Sequence, residues 1–319
     1  MSFLADFRLI PYTVESVIED VKEIPAGVKM IKAPEIWDVS DKGSGVVVAI
    51  LDTGCDPTHT DLKERIIDGK NFTDQGDPDD FSDIDQHGTH VAGTVGATIN
   101  DEGVVGVAPE VSLFIGRVFT KDSNGDVGAF NKDIIKAIKH CIKWRGPNQE
   151  RIRVINMSLG GPQDDPQLHD VIKEAVNEDI LIVCAAGNEG DIRSGGDCSP
   201  LKDEFSFPGA YQEVVEVGAV DLEGNWPCFT NTNLEIDLVA PGVKIMSTIP
   251  GGSHAEFSGT SMAAPHVAGG VSLIINQCEK EFGRKFTEPE IYAQLIKRTK
   301  PLGHDKKIEG NGLLELDKQ

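Results

Sequence analysis

Three apolar runs constrain this chain more than anything else in it: Val46-Val47-Val48-Ala49-Ile50-Leu51, Arg153-Val154-Ile155-Asn156-Met157 and Ile180-Leu181-Ile182-Val183-Cys184. A strand with one wet face alternates polar and apolar residues. Runs that hardly alternate are what strands buried on both faces of a parallel sheet require. Each run stops in turn-forming residues: Asp52-Thr53-Gly54, Ser158-Leu159-Gly160-Gly161 and Ala185-Ala186-Gly187-Asn188. Residues 131–144 and Pro166 to Asn177 carry apolar positions at helical spacing, so strand, helix and strand alternate as in βαβ units. The expected class is α/β with a mostly parallel central sheet.

No internal repeat or long low-complexity linker divides residues 21–319, and that range reads as one domain. Residues 1–20 differ from it. An apolar segment, Phe7 to Tyr12, precedes an acidic piece ending near Asp20, and the whole reads as an appendage. The opening Met1-Ser2-Phe3-Leu4-Ala5-Asp6-Phe7-Arg8 breaks its apolar run with charges too early for an export signal. The six cysteines, at positions 55, 141, 184, 198, 228 and 278, show no CxxC spacing, which predicts free thiols and a cytoplasmic location. A net charge of -22 argues against nucleic acid or an anionic membrane as partner.

In an open parallel sheet ligands bind at the carboxyl ends of the strands, so residues there are candidates for chemistry. Asp52 ends the first run, and Asn188 follows the third. Ser261 lies in Gly259-Thr260-Ser261-Met262-Ala263-Ala264-Pro265, where small neighbours leave a hydroxyl reachable. The apolar stretch after it, to Ile275, predicts a buried helix with Ser261 and Pro265 in its first turn, where helix N–H groups favour developing negative charge. His87 opens another small-residue helix, Gln86 to Val95; His59, His90, His254 and His266 read as core or capping residues. Taken singly, Asp52 could close a turn, Asn188 could sit in one, and Ser261 could cap its helix. Together they have the parts of nucleophilic catalysis: a hydroxyl, an imidazole to take its proton, a carboxylate to orient the imidazole and an amide for the oxyanion.

Four blocks in this order resemble the subtilisin family of serine proteases, and in particular the intracellular subtilisins of bacilli. They are Ile50-Leu51-Asp52-Thr53-Gly54, His87-Gly88-Thr89-His90-Val91-Ala92-Gly93-Thr94, Ala185-Ala186-Gly187-Asn188-Glu189-Gly190, and Gly259 through Val267. The resemblance implies a three-layer sandwich and peptide-bond hydrolysis through an acyl-enzyme. Ser261 would be nucleophile, His87 general base, Asp52 orienter and Asn188 oxyanion donor, an order and chemistry that subtilisin itself defines. It implies that Ser158, Leu159 and Gly160 pair with substrate backbone, that Ala185, Ala186 and Gly187 help wall the specificity pocket, and that the loop at Gly125, residues 123–127, forms a second edge. It implies calcium held by Asp61 and Asn100 side chains and by the carbonyls of Thr98, Glu102 and Val104. It also implies a homodimer, and a zymogen in which Leu9, Ile10, Pro11 and Tyr12 of the N-terminal extension lie in the cleft. Pro11, lacking an N–H, would keep the scissile carbonyl away from Ser261. Two other readings are weaker. A non-catalytic binder would lack a member of the Asp-His-Ser triad, and none is missing; an esterase would carry a Gly-x-Ser-x-Gly elbow at Ser261, which is absent. A thiol mechanism through Cys55 or Cys184 is set aside, because Ser261 holds the nucleophile position and both cysteines suit a small apolar core site.

Overall fold

The computed structural model describes residues 5–19 and 21–318. Residues 1–4 and Asp20 of the expected appendage, and Gln319, lie outside the described residues. The core is a nine-stranded sheet in the order Thr299–Lys300, Leu313–Leu314, Ile236–Pro241, Val215–Val220, Leu181–Ala185, Ile152–Met157, Val47–Asp52, Ser112–Arg117, Ile66–Asn71. All neighbours are parallel except the outermost pair, Thr299–Lys300 with Leu313–Leu314.

Period-two geometry explains why the apolar runs do not alternate. Along Val47–Asp52, Val48 and Ile50 pack into one core with Val91, Ala92 and Val95 of the helix His87–Gly96 and with Met262, Val267 and Val271 of the helix Thr260–Phe282. Val47, Ala49 and Leu51 point the other way, against Ile134 and Ile138 of Asn131–Lys143 and Leu168 and Ile172 of Pro166–Asn177. Both faces are therefore dry, and the three-layer arrangement expected from the resemblance is borne out. The helix Glu288–Lys297 begins at a capping box, with Thr287 and Glu290 each satisfying the other's backbone N–H.

Two local expectations are corrected. Cys198 and Cys228 are joined in a disulfide. Gly190 holds both loops together, its N–H donating to the carbonyl of Phe229 at 2.9 Å and its carbonyl accepting from the N–H of Cys198 at 2.9 Å. Spacing along the chain carries no trace of that meeting, while Cys55, Cys141, Cys184 and Cys278 are free and buried as expected. Pro265 lies beyond the first turn, because the helix begins at Thr260 and runs to Phe282. A proline there cannot donate to the carbonyl four residues back, that of Ser261. The hydroxyl of Ser158 donates to that carbonyl instead, at 3.0 Å.

Candidate active site

Asp52 is brought to His87 by a close approach of backbones. The N–H of Gly88 donates to the Thr53 hydroxyl at 2.9 Å, and a Cβ on Gly88 would lie 2.1 Å from the carbonyl oxygen of Gly54. Only glycine lets the helix start this close to the turn after Asp52. The result is a contact of 2.8 Å between His87 Nδ1 and Asp52 Oδ1, fully buried, with the Thr53 N–H donating to the same oxygen at 2.7 Å. With Nδ1 as donor to Asp52, Nε2 is the nitrogen left to accept a proton. It is buried without a partner among the described residues.

Burial by itself pushes the His87 imidazolium down, but the Asp52 charge and hydrogen bond, joined by Asp85 and Asp83, outweigh it and hold the ring's pKa above its ordinary value. Nitrogen NMR of the full-length Ser261→Ala chain is therefore expected to give a His87 midpoint above about 6.5. A midpoint below that value would mean that desolvation outweighs the Asp52 pair.

Asn188 is oriented by a residue that the sequence reading did not single out. Its Oδ1 accepts from the N–H of Thr260 at 3.0 Å and from the Thr260 hydroxyl at 2.9 Å, which turns Nδ2 outward. That Nδ2 donates to the carbonyl oxygen of Pro11 at 2.6 Å. The carbonyl that reaches Asn188 is thus Pro11's own. Ser261 is buried, and its hydroxyl donates to the carbonyl of Ser158 at 3.4 Å. Asp52, His87, Asn188 and the Ser261 segment thus meet at one edge of the sheet.

The chain's own N-terminal segment fills the cleft. Phe7–Leu9 runs antiparallel between two edges, pairing Arg8 with Gly160 and Leu9 with Leu159 on one side, and Phe7 with Ala129 and Arg8 with Gly128 on the other. The second edge is therefore Val127–Ala129. Gly125 sits in the tight turn before it, where Asp122 accepts from backbone N–H groups on both sides, and it does not pair with the segment. Ile10 is buried, the Tyr12 ring lies over His87 at 5.1 Å between centroids, and the Tyr12 hydroxyl donates to Asp85 Oδ1 at 2.6 Å. Ala185 ends the strand Leu181–Ala185 and Ala186 and Gly187 follow it, fully buried or close-packed, with the Gly187 N–H donating to the Thr260 hydroxyl at 3.2 Å.

The sequence pattern of the Subtilase family matches residues 43–314, most of the chain and all four blocks. The chain belongs to the subtilase family. The relatives agree with this. The "Intracellular serine protease" of Paenibacillus polymyxa is 53% identical over 311 residues, covering 97% of this chain and 90% of the relative. The "Major intracellular serine protease" of Bacillus subtilis (strain 168) is 48% identical over 314 residues, with 98% and 93% covered. "Subtilisin E" of the same organism is 39% identical over 259 residues, covering 81% of this chain and 63% of the relative.

In this subtilase the residues named for calcium form one cluster. Asp61 is buried; its Oδ1 accepts from Asn100 Nδ2 at 2.8 Å and its Oδ2 from the N–H of Val104 at 3.0 Å, while its carbonyl accepts from the N–H of Thr98 at 2.9 Å. Asn100 Oδ1 accepts from the N–H of Glu102 at 3.2 Å. Gly103, at φ +64°, is packed so tightly on the carboxylate that a Cβ would lie 2.1 Å from Asp61 Oδ2. A carboxylate, an amide oxygen and backbone carbonyls in a tight loop are donors of the kind a hard cation takes. Among the described residues, no helix is long and apolar enough to cross a membrane.

Proposed function

We propose that this chain is a serine endopeptidase made as a zymogen, with residues 1–20 as inhibitory extension and 21–319 as catalytic domain. The observation that carries the reading is the hydrogen bond from Asn188 Nδ2 to the Pro11 carbonyl, made while Phe7–Leu9 is paired on both sides. An extended peptide added as a strand, with its carbonyl on an amide donor, is how a substrate would lie.

In the catalytic reading, Ser261 Oγ attacks a substrate carbonyl while His87 Nε2 takes its proton. Asp52 holds the ring in the tautomer that makes this possible and favours the imidazolium that forms. Asn188 Nδ2 and the backbone N–H of Ser261 receive the oxyanion, and the helix starting at Thr260 directs its positive end there. His87 then gives the proton to the leaving amine, and water repeats the cycle on the acyl-enzyme. In the zymogen state Ser261 bonds to Ser158 rather than to His87, and Tyr12 covers the imidazole. The substrates are proteins and peptides, and likeness to the intracellular relatives extends the reading to a homodimer. Comparing a chain that begins at Val21 with the full-length protein on a small peptide tests the zymogen reading, and casein against a short-chain ester tests the reaction class.

Calcium belongs to the same reading. Asp61 and Asn100 side chains and the carbonyls of Thr98, Glu102 and Val104 would hold it, and the ion would fix the loop after the His87 helix. Binding only to the folded loop, it stabilises by about 2.7 kcal/mol at a hundredfold excess over Kd. With an unfolding entropy of about 2.1 cal/mol/K per residue, that corresponds to roughly 4 °C in Tm for this chain. Calorimetry of the Ser261→Ala chain in chelator and in millimolar calcium is expected to show that difference; coincident transitions would remove calcium from the proposal.

A further inference from the structure

We infer that His59, Asp61 and His254 form a binding site for a divalent transition metal of the zinc type, distinct in ligand chemistry from the calcium loop beside it. The three side chains are buried, and one ligand atom from each lies within 4.8 Å of the others. They come from two segments far apart in sequence, the turn after Asp52 and the strand Ser253–Ser258.

The polar contacts around His59 suit imidazole ligation. His59 Nε2 lies 3.1 Å from the carbonyl of Ser253, to which it can only donate. That fixes the tautomer with the lone pair on Nδ1. A ring N–H given to a backbone carbonyl is the usual support behind a metal-bound histidine. The N–H of Asp61 points at that lone pair from 3.1 Å, a contact the metal would replace. His254 Nε2 is 2.9 Å from Asp61 Oδ2, and its Nδ1 is buried with no partner among the described residues. Two atoms bound to one tetrahedral zinc at about 2.0 to 2.2 Å each stand about 3.3 Å apart, so His254 and Asp61 need to separate by only a few tenths of an ångström.

Asp61 Oδ1 accepts from Asn100 Nδ2, whereas Oδ2 is shared between the loop, through the N–H of Val104 at 3.0 Å, and His254 at 2.9 Å. Two imidazoles and one carboxylate oxygen suit zinc, and imidazole is not a calcium donor. A cavity of about 270 Å³, lined by Lys22, Thr60, Glu102, Gly252 and His254, opens on the His254 side of the cluster. A metal here would pin the strand Ser253–Ser258, which leads directly into Gly259 and Ser261 and pairs with the extension, His254 opposite Ile18.

The test uses the full-length Ser261→Ala chain, saturated with calcium, and ZnCl2 or CoCl2 alone as probe. Titration is expected to give one ion per chain and, with cobalt, the ligand-field colour of a nitrogen- and oxygen-ligated site. Histidine nitrogen NMR of the same protein should show zinc shifting the rings of His59 and His254 and no other ring by a comparable amount. His59→Gln and His254→Gln should each weaken zinc binding by more than about a hundredfold, beyond the loss of an outer hydrogen-bond partner. Unshifted His59 and His254 signals would overturn the inference without recourse to any variant, and so would zinc binding that both substitutions leave intact. Either result would mean that His254 serves only as the hydrogen-bond partner of Asp61.

Discussion

Replacing Ser261 by alanine is expected to lower turnover of a peptide substrate by about 10⁶, the loss that removal of the nucleophile causes in subtilisin, while leaving the fold intact. The asymmetry comes from what the hydroxyl touches. Its hydrogen bond goes to the carbonyl of Ser158 at 3.4 Å, a long contact whose loss costs less than about 1 kcal/mol. The surrounding Gly259, Thr260, Ala263 and Ala264 already accept a residue of alanine's size. Catalysis, by contrast, would lose the atom that forms the acyl bond in the proposed mechanism. The readout is kcat/KM of the purified variant, cut to begin at Val21, beside the same chain with Ser261. Melting curves of the two should nearly coincide. Near-wild-type cleavage by the alanine variant would end the mechanism, and the full-length variant should keep its intact mass on storage.

Removing the extension is expected to raise the initial rate of the enzyme by about a hundredfold. A tethered segment presents itself to the cleft at an effective concentration of about a millimolar; held with an intrinsic affinity of even ~10 µM, it leaves about one molecule in a hundred open. The contacts support at least that affinity. Phe7–Leu9 is paired on both sides, Ile10 and Phe7 are buried, Pro11 accepts from Asn188, and Tyr12 is anchored to Asp85 at 2.6 Å. Rates on a small peptide, taken before any self-processing, are the measurement. Equal rates for the full-length chain and the chain starting at Val21 would remove inhibition from the reading. Tyr12→Ala provides an internal check. It removes the cover over His87 and the anchor on Asp85 without touching Asp52, His87, Asn188 or Ser261, so it should release part of the same activity.

The central sheet was legible because dry strands have to be written in apolar residues. Val47–Asp52 could not alternate once helices covered both of its faces, and Pro166–Asn177 appears at the bounds its spacing predicted. Asp52, His87, Asn188 and Ser261 were legible because chemistry that depends on neighbours of a certain size leaves small residues around each group. What the sequence did not display are contacts between residues that neither periodicity nor motif connects. Thr260 aims Asn188, Tyr12 reaches Asp85, and Gly190 draws Cys198 to Cys228, each through a meeting decided by the completed fold. Pro265 fell outside its predicted place for a related reason. The helix has a proline well inside it because Ser158 is there to take up the carbonyl that the proline leaves free.

The double pairing of Phe7–Leu9 carries a meaning for what such a cleft can accept. A substrate that entered as Phe7–Leu9 does would have to offer its backbone on both sides at once, as the middle of three strands. In a folded protein most extended segments have already committed at least one of those sides to a neighbour, and helices have committed both to themselves. The gate is therefore set by the state of the target more than by its spelling: a loop torn loose, a nascent chain or a damaged domain satisfies it, and an intact one does not. For a protease that shares its compartment with the proteins it could destroy, that selection by disrepair works alongside any latch on its own terminus, and it remains after the latch is gone.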